Sequence, residues 1–155
     1  MDLIAVKRGI LVFWAVWHAV VWLANACDAL KAAGVLPRSW KFASGNWGAI
    51  RDALGVYRTP PWLAVAMFGG VLAWQATAAA LMWRAALAAA TAGAFTDGPL
   101  AAAATSAFGT SAALWAALVL ADEVLIAYHH EGAHLRILTA LLVSLLAIRL
   151  LPDGV

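Results

Sequence analysis

Apolar residues along this chain fall into four long runs, and the polar residues between them gather in short clusters rather than alternating with the apolar ones. A hydrocarbon core about 30 Å thick needs roughly 20 mostly apolar residues as helix, or about 17 with tilt or snorkelling ends. The runs predict spans over residues 9–26, 61–83, 99–128 and 135–151. Pro60-Pro61 suits the start of the second, and Trp83-Arg84 suits its end at an interface. The fourth is the shortest; Arg136 and Arg149 bound it, with stems long enough to carry their charges toward headgroups, and Pro152 ends it. The fold expected is therefore an all-α integral membrane protein, one membrane domain over residues 1–155.

Residues 27–59 form the longest connection, broken by Gly34, Pro37, Ser44, Gly45 and Asn46. In its second half Trp47, Ile50, Leu54 and Tyr57 recur at helical spacing while Asp52 falls on the other side, with Arg51 and Arg58 at the border. This pattern predicts an interfacial amphipathic helix within residues 37–58, between the first and second spans. Trp40, Trp47 and Tyr57 suit headgroup depth, where one ring edge stays wet. Residues 85–94, rich in Ala, followed by Thr96-Asp97-Gly98-Pro99, either extend the second span or form a short re-entrant turn. The N-terminal basic pair and apolar run have the outline of a secretory signal. Their length, three Trp and His18 favour a retained first helix.

Composition agrees with lipid as the main solvent. The chain is 65% hydrophobic and 12% charged, where soluble domains are about half apolar and about a quarter charged. Its net charge of +2 is spread singly, so no basic patch is present to engage nucleic acid. The single cysteine, Cys27, cannot form an internal disulfide and reads as a small packed hydrophobe. With four spans, Lys7, Arg8, Arg84 and Arg149 share the side of the termini, and Lys31, Arg38, Lys41, Arg51, Arg58 and Arg136 the other. The positive-inside tendency then favours a cytoplasmic 27–59 connection, most naturally in a bacterial inner membrane. Gly69-Gly70, Thr105-Ser106 and Gly109-Thr110-Ser111 place small residues on the second and third spans, as close helix approach in lipid requires.

Candidate chemistry is confined to a few side chains. His130-Glu131-Gly132-Ala133-His134 resembles the HExxH signature of zinc metalloproteases over its five residues. The resemblance implies His130 and His134 as zinc ligands and Glu131 as general base. Such a site needs a third protein ligand, and the matching candidate, Asp153, lies one helix length away at the other side of the bilayer. Gly132 weakens the helix that would hold the histidines. Glu131 and His134 also form an E-x-x-H, but a chain with two glutamates cannot build a di-iron carboxylate site by itself. On a continuous helix Glu123, His130 and His134 would share a stripe about 40° wide; alternatively, residues 122–136 form a wet turn. Asp122 and Glu123 precede an apolar stretch, which places acids within the membrane with Arg136 or a histidine as partner. His18, near the middle of the first span, needs a hydrogen-bond partner such as Gln75 or Thr77, or a haem or chlorophyll metal.

These observations lead first to a small accessory subunit of a larger membrane complex, energy-transducing in type, whose partners are the lipid bilayer and other membrane subunits. Second comes a metal-binding protein or metalloprotease using His130, Glu131 and His134. A small oligomeric transporter or channel lined by Glu123 and Gln75 is third.

Overall fold

The computed structural model describes residues 2–91, 95 and 98–153. The described residues form five helices: α1 (Leu3–Ala32), α2 (Asn46–Gly55), α3 (Pro61–Thr91), α4 (Gly98–Val124) and α5 (Tyr128–Leu150). All but α2 are long and apolar enough to cross a membrane. The helices outrun the hydrophobic runs that predicted them. At 1.5 Å per residue the 30 residues of α1 reach about 45 Å, past the hydrocarbon thickness at both ends. The Ala-rich stretch continues α3 through Thr91, which favours extension over a re-entrant turn that far; residues 92–94, 96 and 97 lie outside the described residues.

The long helices alternate in direction. α1 packs on α3, α3 on α4 and α4 on α5, while α5 returns only lightly to α1. That last contact includes a hydrogen bond from Trp14 Nε1 to Ser144 Oγ at 2.9 Å. Small side chains make close approach possible: Ala78, Ala85 and Ala89 of α3 and Ala104 and Ala107 of α4 are fully enclosed, with Leu11, Met82 and Phe108 filling between them. The outward faces are apolar too, as with Phe13, Val16 and Val20 on α1 and Leu142, Val143 and Leu146 on α5. Apolar residues on both faces fit a multi-pass protein whose helices meet each other on one side and lipid on the other.

Polar contacts tie one end of the bundle together. Lys7 Nζ, fully buried, donates to Asp153 Oδ1 at 2.5 Å and lies over the Phe95 ring, and Asp153 Oδ2 accepts the Phe95 backbone N–H at 2.8 Å. Arg8 Nε donates to the Ala89 carbonyl at 2.9 Å. At the opposite end α2 lies across α1 and α3. Trp47, Ile50 and Leu54 are turned inward and Arg51 and Asp52 outward, as their spacing predicts, while Tyr57 lies beyond the helix and is half exposed. Asp28 of α1 sets the start of α2: its Oδ2 accepts from the Trp47 backbone N–H at 2.8 Å and from Ser44 Oγ at 3.2 Å. A carboxylate on the free N–H groups of a helix start caps it and complements its dipole. Gly45, with φ +81, supplies the left-handed conformation that turns the chain into α2.

The boundary between the last two helices differs from the expected one. The run over residues 99–128 was expected as one span and 135–151 as the next, yet α4 ends at Val124 and α5 begins at Tyr128. The break is a backbone device. Ala127 N–H bonds Asp122 O at 2.8 Å, Ile126 N–H bonds Glu123 O at 3.4 Å, and Ile126 adopts φ +56. That is the Schellman arrangement, with isoleucine in the left-handed position where glycine is usual. The stripe requiring a continuous helix through Glu123, His130 and His134 therefore does not form. His130, Glu131 and His134 instead belong to the first two turns of α5.

Candidate functional site

One stripe of α1 carries buried polar side chains from one end of the bundle to the other. Lys7, Leu11, Trp14, His18, Asn25 and Asp28 recur at three-, four- and seven-residue steps and are all buried. Polar members of such a stripe must find partners within the protein, because lipid offers none. Asn25 does so on two sides: its Nδ2 donates to Gln75 Oε1 of α3 at 2.9 Å, and its Oδ1 accepts from Asn46 Nδ2 of α2 at 2.8 Å. This amide chain runs from the middle of α3 to the first residue of α2.

Facing it is a second polar pair. Asp122, at the end of α4, is 6% exposed, and its Oδ2 lies 2.5 Å from His134 Nδ1 of α5. The Schellman turn produces this contact, since it folds α5 back so that residues 12 apart in sequence meet. An imidazole held by a carboxylate at Nδ1 has its tautomer and orientation fixed, leaving Nε2 as the working nitrogen. The His134 ring also stands 5.4 Å from Trp115, which stands 5.5 Å from Trp17.

Between the two polar groups lies a cavity of about 140 Å³. Asn25, Asn46, Gln75, Asp122, His130 and His134 contribute its polar wall, and its apolar wall includes Phe68, Val71, Trp115 and Leu118. Gln75 Nε2, Asp122 Oδ1 and His134 Nε2 have no hydrogen-bond partner among the described residues and are not sealed from space. Trp115 Nε1 is sealed and likewise has no partner among the described residues. A neighbouring groove of about 540 Å³ on the outer surface between α3 and α4 is almost wholly apolar and shares Met67, Ala121 and Leu125 with the cavity wall.

The structure distributes the sequence candidates unevenly. Asp122, His130 and His134 come together with Gln75; Glu123 and Arg136 are exposed, and Glu123 is not in the wall of the cavity that Gln75 lines. Gln75 and Thr77 do not serve His18: Gln75 bonds Asn25, and the Thr77 hydroxyl bonds its own helix at the Ala73 carbonyl. His18 is 2% exposed between Trp14 and Trp17, and its Nε2 has no partner among the described residues. For zinc, the rings of His130 and His134 are 6.3 Å apart by centroid, and no group of three His, Cys, Asp or Glu converges among the described residues. Asp153 is at the opposite end with Lys7.

Asn25, Asp28 and Asn46 were missed. Their signal was present, because Asn25 and Asp28 continue the spacing of Lys7, Trp14 and His18 along one face of α1. Comparison with known proteins finds no family model, no curated protein and no solved structure that matches this chain.

Proposed function

We propose that this protein holds a small molecule with an apolar body and a polar end inside the membrane, in the cavity between α1, α2, α3, α4 and α5. One observation carries the reading: three polar atoms, Gln75 Nε2, Asp122 Oδ1 and His134 Nε2, have no partner among the described residues and stand open to a cavity in an otherwise apolar bundle. A ligand offering complementary atoms gains about 0.5–1.5 kcal/mol net for each hydrogen bond made there. The wall is mostly apolar with a few convergent polar groups, the usual make-up of a small-molecule site. The test is to purify the protein from its native membrane, extract it with organic solvent and identify what is released. A compound near one per chain that is missing from Gln75→Met supports the reading; protein that releases nothing beyond bulk lipid overturns it.

A second reading, compatible with the first, is that of an accessory subunit in a larger membrane complex, set in a bacterial inner membrane with the 27–59 connection cytoplasmic. The outer face of α3 and α4 favours it. Gly69, Gly70 and Thr77 on α3 and Thr105, Ser106 and Gly109 on α4 point outward, and Trp74 Nε1 bonds the Thr110 carbonyl at 3.1 Å across the two helices there. Small residues facing lipid gain nothing from it and permit close approach of another helix. Comigration with other membrane proteins in mild detergent, lost in Gly109→Leu, supports this reading, and solitary migration removes it.

A further inference from the structure

The cavity, its open polar atoms and the adjoining groove together restrict the chemistry of what fits. The volume of about 140 Å³ is close to the roughly 150 Å³ of an engineered apolar cavity that accommodates one benzene ring. Phe68 and Trp115 supply aromatic walls, and offset or edge contacts with a ring are favourable there.

The open atoms differ in kind. In the tautomer that gives Nδ1–H to the Asp122 carboxylate, His134 Nε2 is an acceptor, and Asp122 Oδ1 is an acceptor as well. Gln75 has its oxygen occupied by Asn25, so it presents N–H. A ligand here must therefore donate an O–H or N–H on the Asp122–His134 side and offer an acceptor to Gln75. A dihydroxy aromatic ring does both. The groove then restricts the rest of the molecule. It lies on the outer surface where the start of α3 and the end of α4 meet the end of α2, is lined by such residues as Leu54, Leu63, Leu120 and Val124, and meets the cavity at Met67, Ala121 and Leu125. A hydrocarbon tail attached to the ring would leave through that shared wall and lie against the lipid-facing surface.

We propose that the cavity is a headgroup site for a quinol-type lipid, a dihydroxy aromatic ring with a long hydrocarbon tail, with the ring between the Asp122–His134 pair and Gln75 and the tail in the α3–α4 groove. The proposal rests on the ligand-holding reading above and names its ligand class.

The test uses the full chain in detergent with 2-decylhydroquinone, kept reduced, whose dihydroxy ring carries no substituent but the tail, and dodecanol, which has a hydroxyl and a tail but no ring. Binding is read as the saturable rise in unfolding temperature that any ligand selective for the folded state produces. Decylhydroquinone should bind at least about tenfold more tightly than dodecanol, a ratio equivalent to about one good hydrogen bond. Gln75→Met and His134→Phe, each with wild-type helicity, should lose most of that preference. Ala121→Phe, which narrows the junction without touching the polar wall, should weaken both probes. Equal binding of the two probes overturns the quinol assignment while leaving the ligand-holding reading in place, and so does a decylhydroquinone affinity unchanged in His134→Phe. No binding of either probe, together with a stoichiometric compound released from native protein, also overturns the quinol assignment alone. If native protein releases nothing as well, both fall.

Discussion

A buried ammonium is among the most expensive residues a membrane helix can carry, and Lys7 shows how one is accommodated. It is fully enclosed, and its charge is met by Asp153 and the face of Phe95. Removing one partner of such a pair is worse than never having had it, because the survivor keeps its desolvation cost. Asp153→Asn keeps an acceptor for the Phe95 N–H but leaves Lys7 without its counter-charge, and should lower stability by about 3 kcal/mol. Adding Lys7→Met should restore most of the loss. Denaturant unfolding of the single and double variants in detergent checks both statements, and a double variant as weak as Asp153→Asn would refute the account. At this scale the sequence was legible in part. Asp153 was correctly placed at the far side from His134 because helix length alone dictates it. Its pairing with Lys7 was not foreseen, since contacts between residues 146 apart depend on how the helices assemble.

Among the elements, the junction of α4 and α5 shows most clearly where pattern reading stops. Hydropathy sees Val124 to Tyr128 as a continuation of the third span, because every residue there is apolar or aromatic. The chain turns anyway, through hydrogen bonds back to Asp122 and Glu123 and a left-handed Ile126. A β-branched residue in that region costs of order 1–3 kcal/mol. Ile126 is also 57% exposed, so little packing is lost on removing its side chain. Ile126→Gly should therefore raise the thermal unfolding temperature of the detergent-solubilised protein, and a fall of several degrees would show that the side chain contributes more than the strain costs. α2, by contrast, was legible, because its inward and outward faces differ in chemistry. Its attachment was not, since a cap supplied by Asp28 of another helix leaves no local signature.

For the molecule as a whole, the four long helices and the shorter one between the first two followed from run lengths and one amphipathic stretch. The candidate site followed only in fragments. The histidines and Asp122 were singled out for their polarity, whereas the cavity that joins them to Gln75 depends on packing that no periodicity specifies. An even number of crossings puts both termini on one side and the 27–59 connection on the other. In a Cys27→Ala background, Ser44→Cys should react with a membrane-impermeant maleimide from the face opposite to that labelling Asp2→Cys; labelling of both from one face would remove the four-span topology. The way α2 is attached bears on how fast a ligand comes and goes. Its start is fastened by Asp28 and Asn25, and the stretch after its end by the Tyr57 hydroxyl on the Val124 carbonyl at 2.6 Å. α2 packs on α1 and α3 less extensively than the long helices pack on one another, which puts it nearer the low-stability end of the molecule, where local opening is expected. On the ligand-holding proposal, residence time would follow that opening, and substitutions on the outward face of α2, at Arg51 and Asp52, are the ones that would change exchange rate without touching the cavity wall.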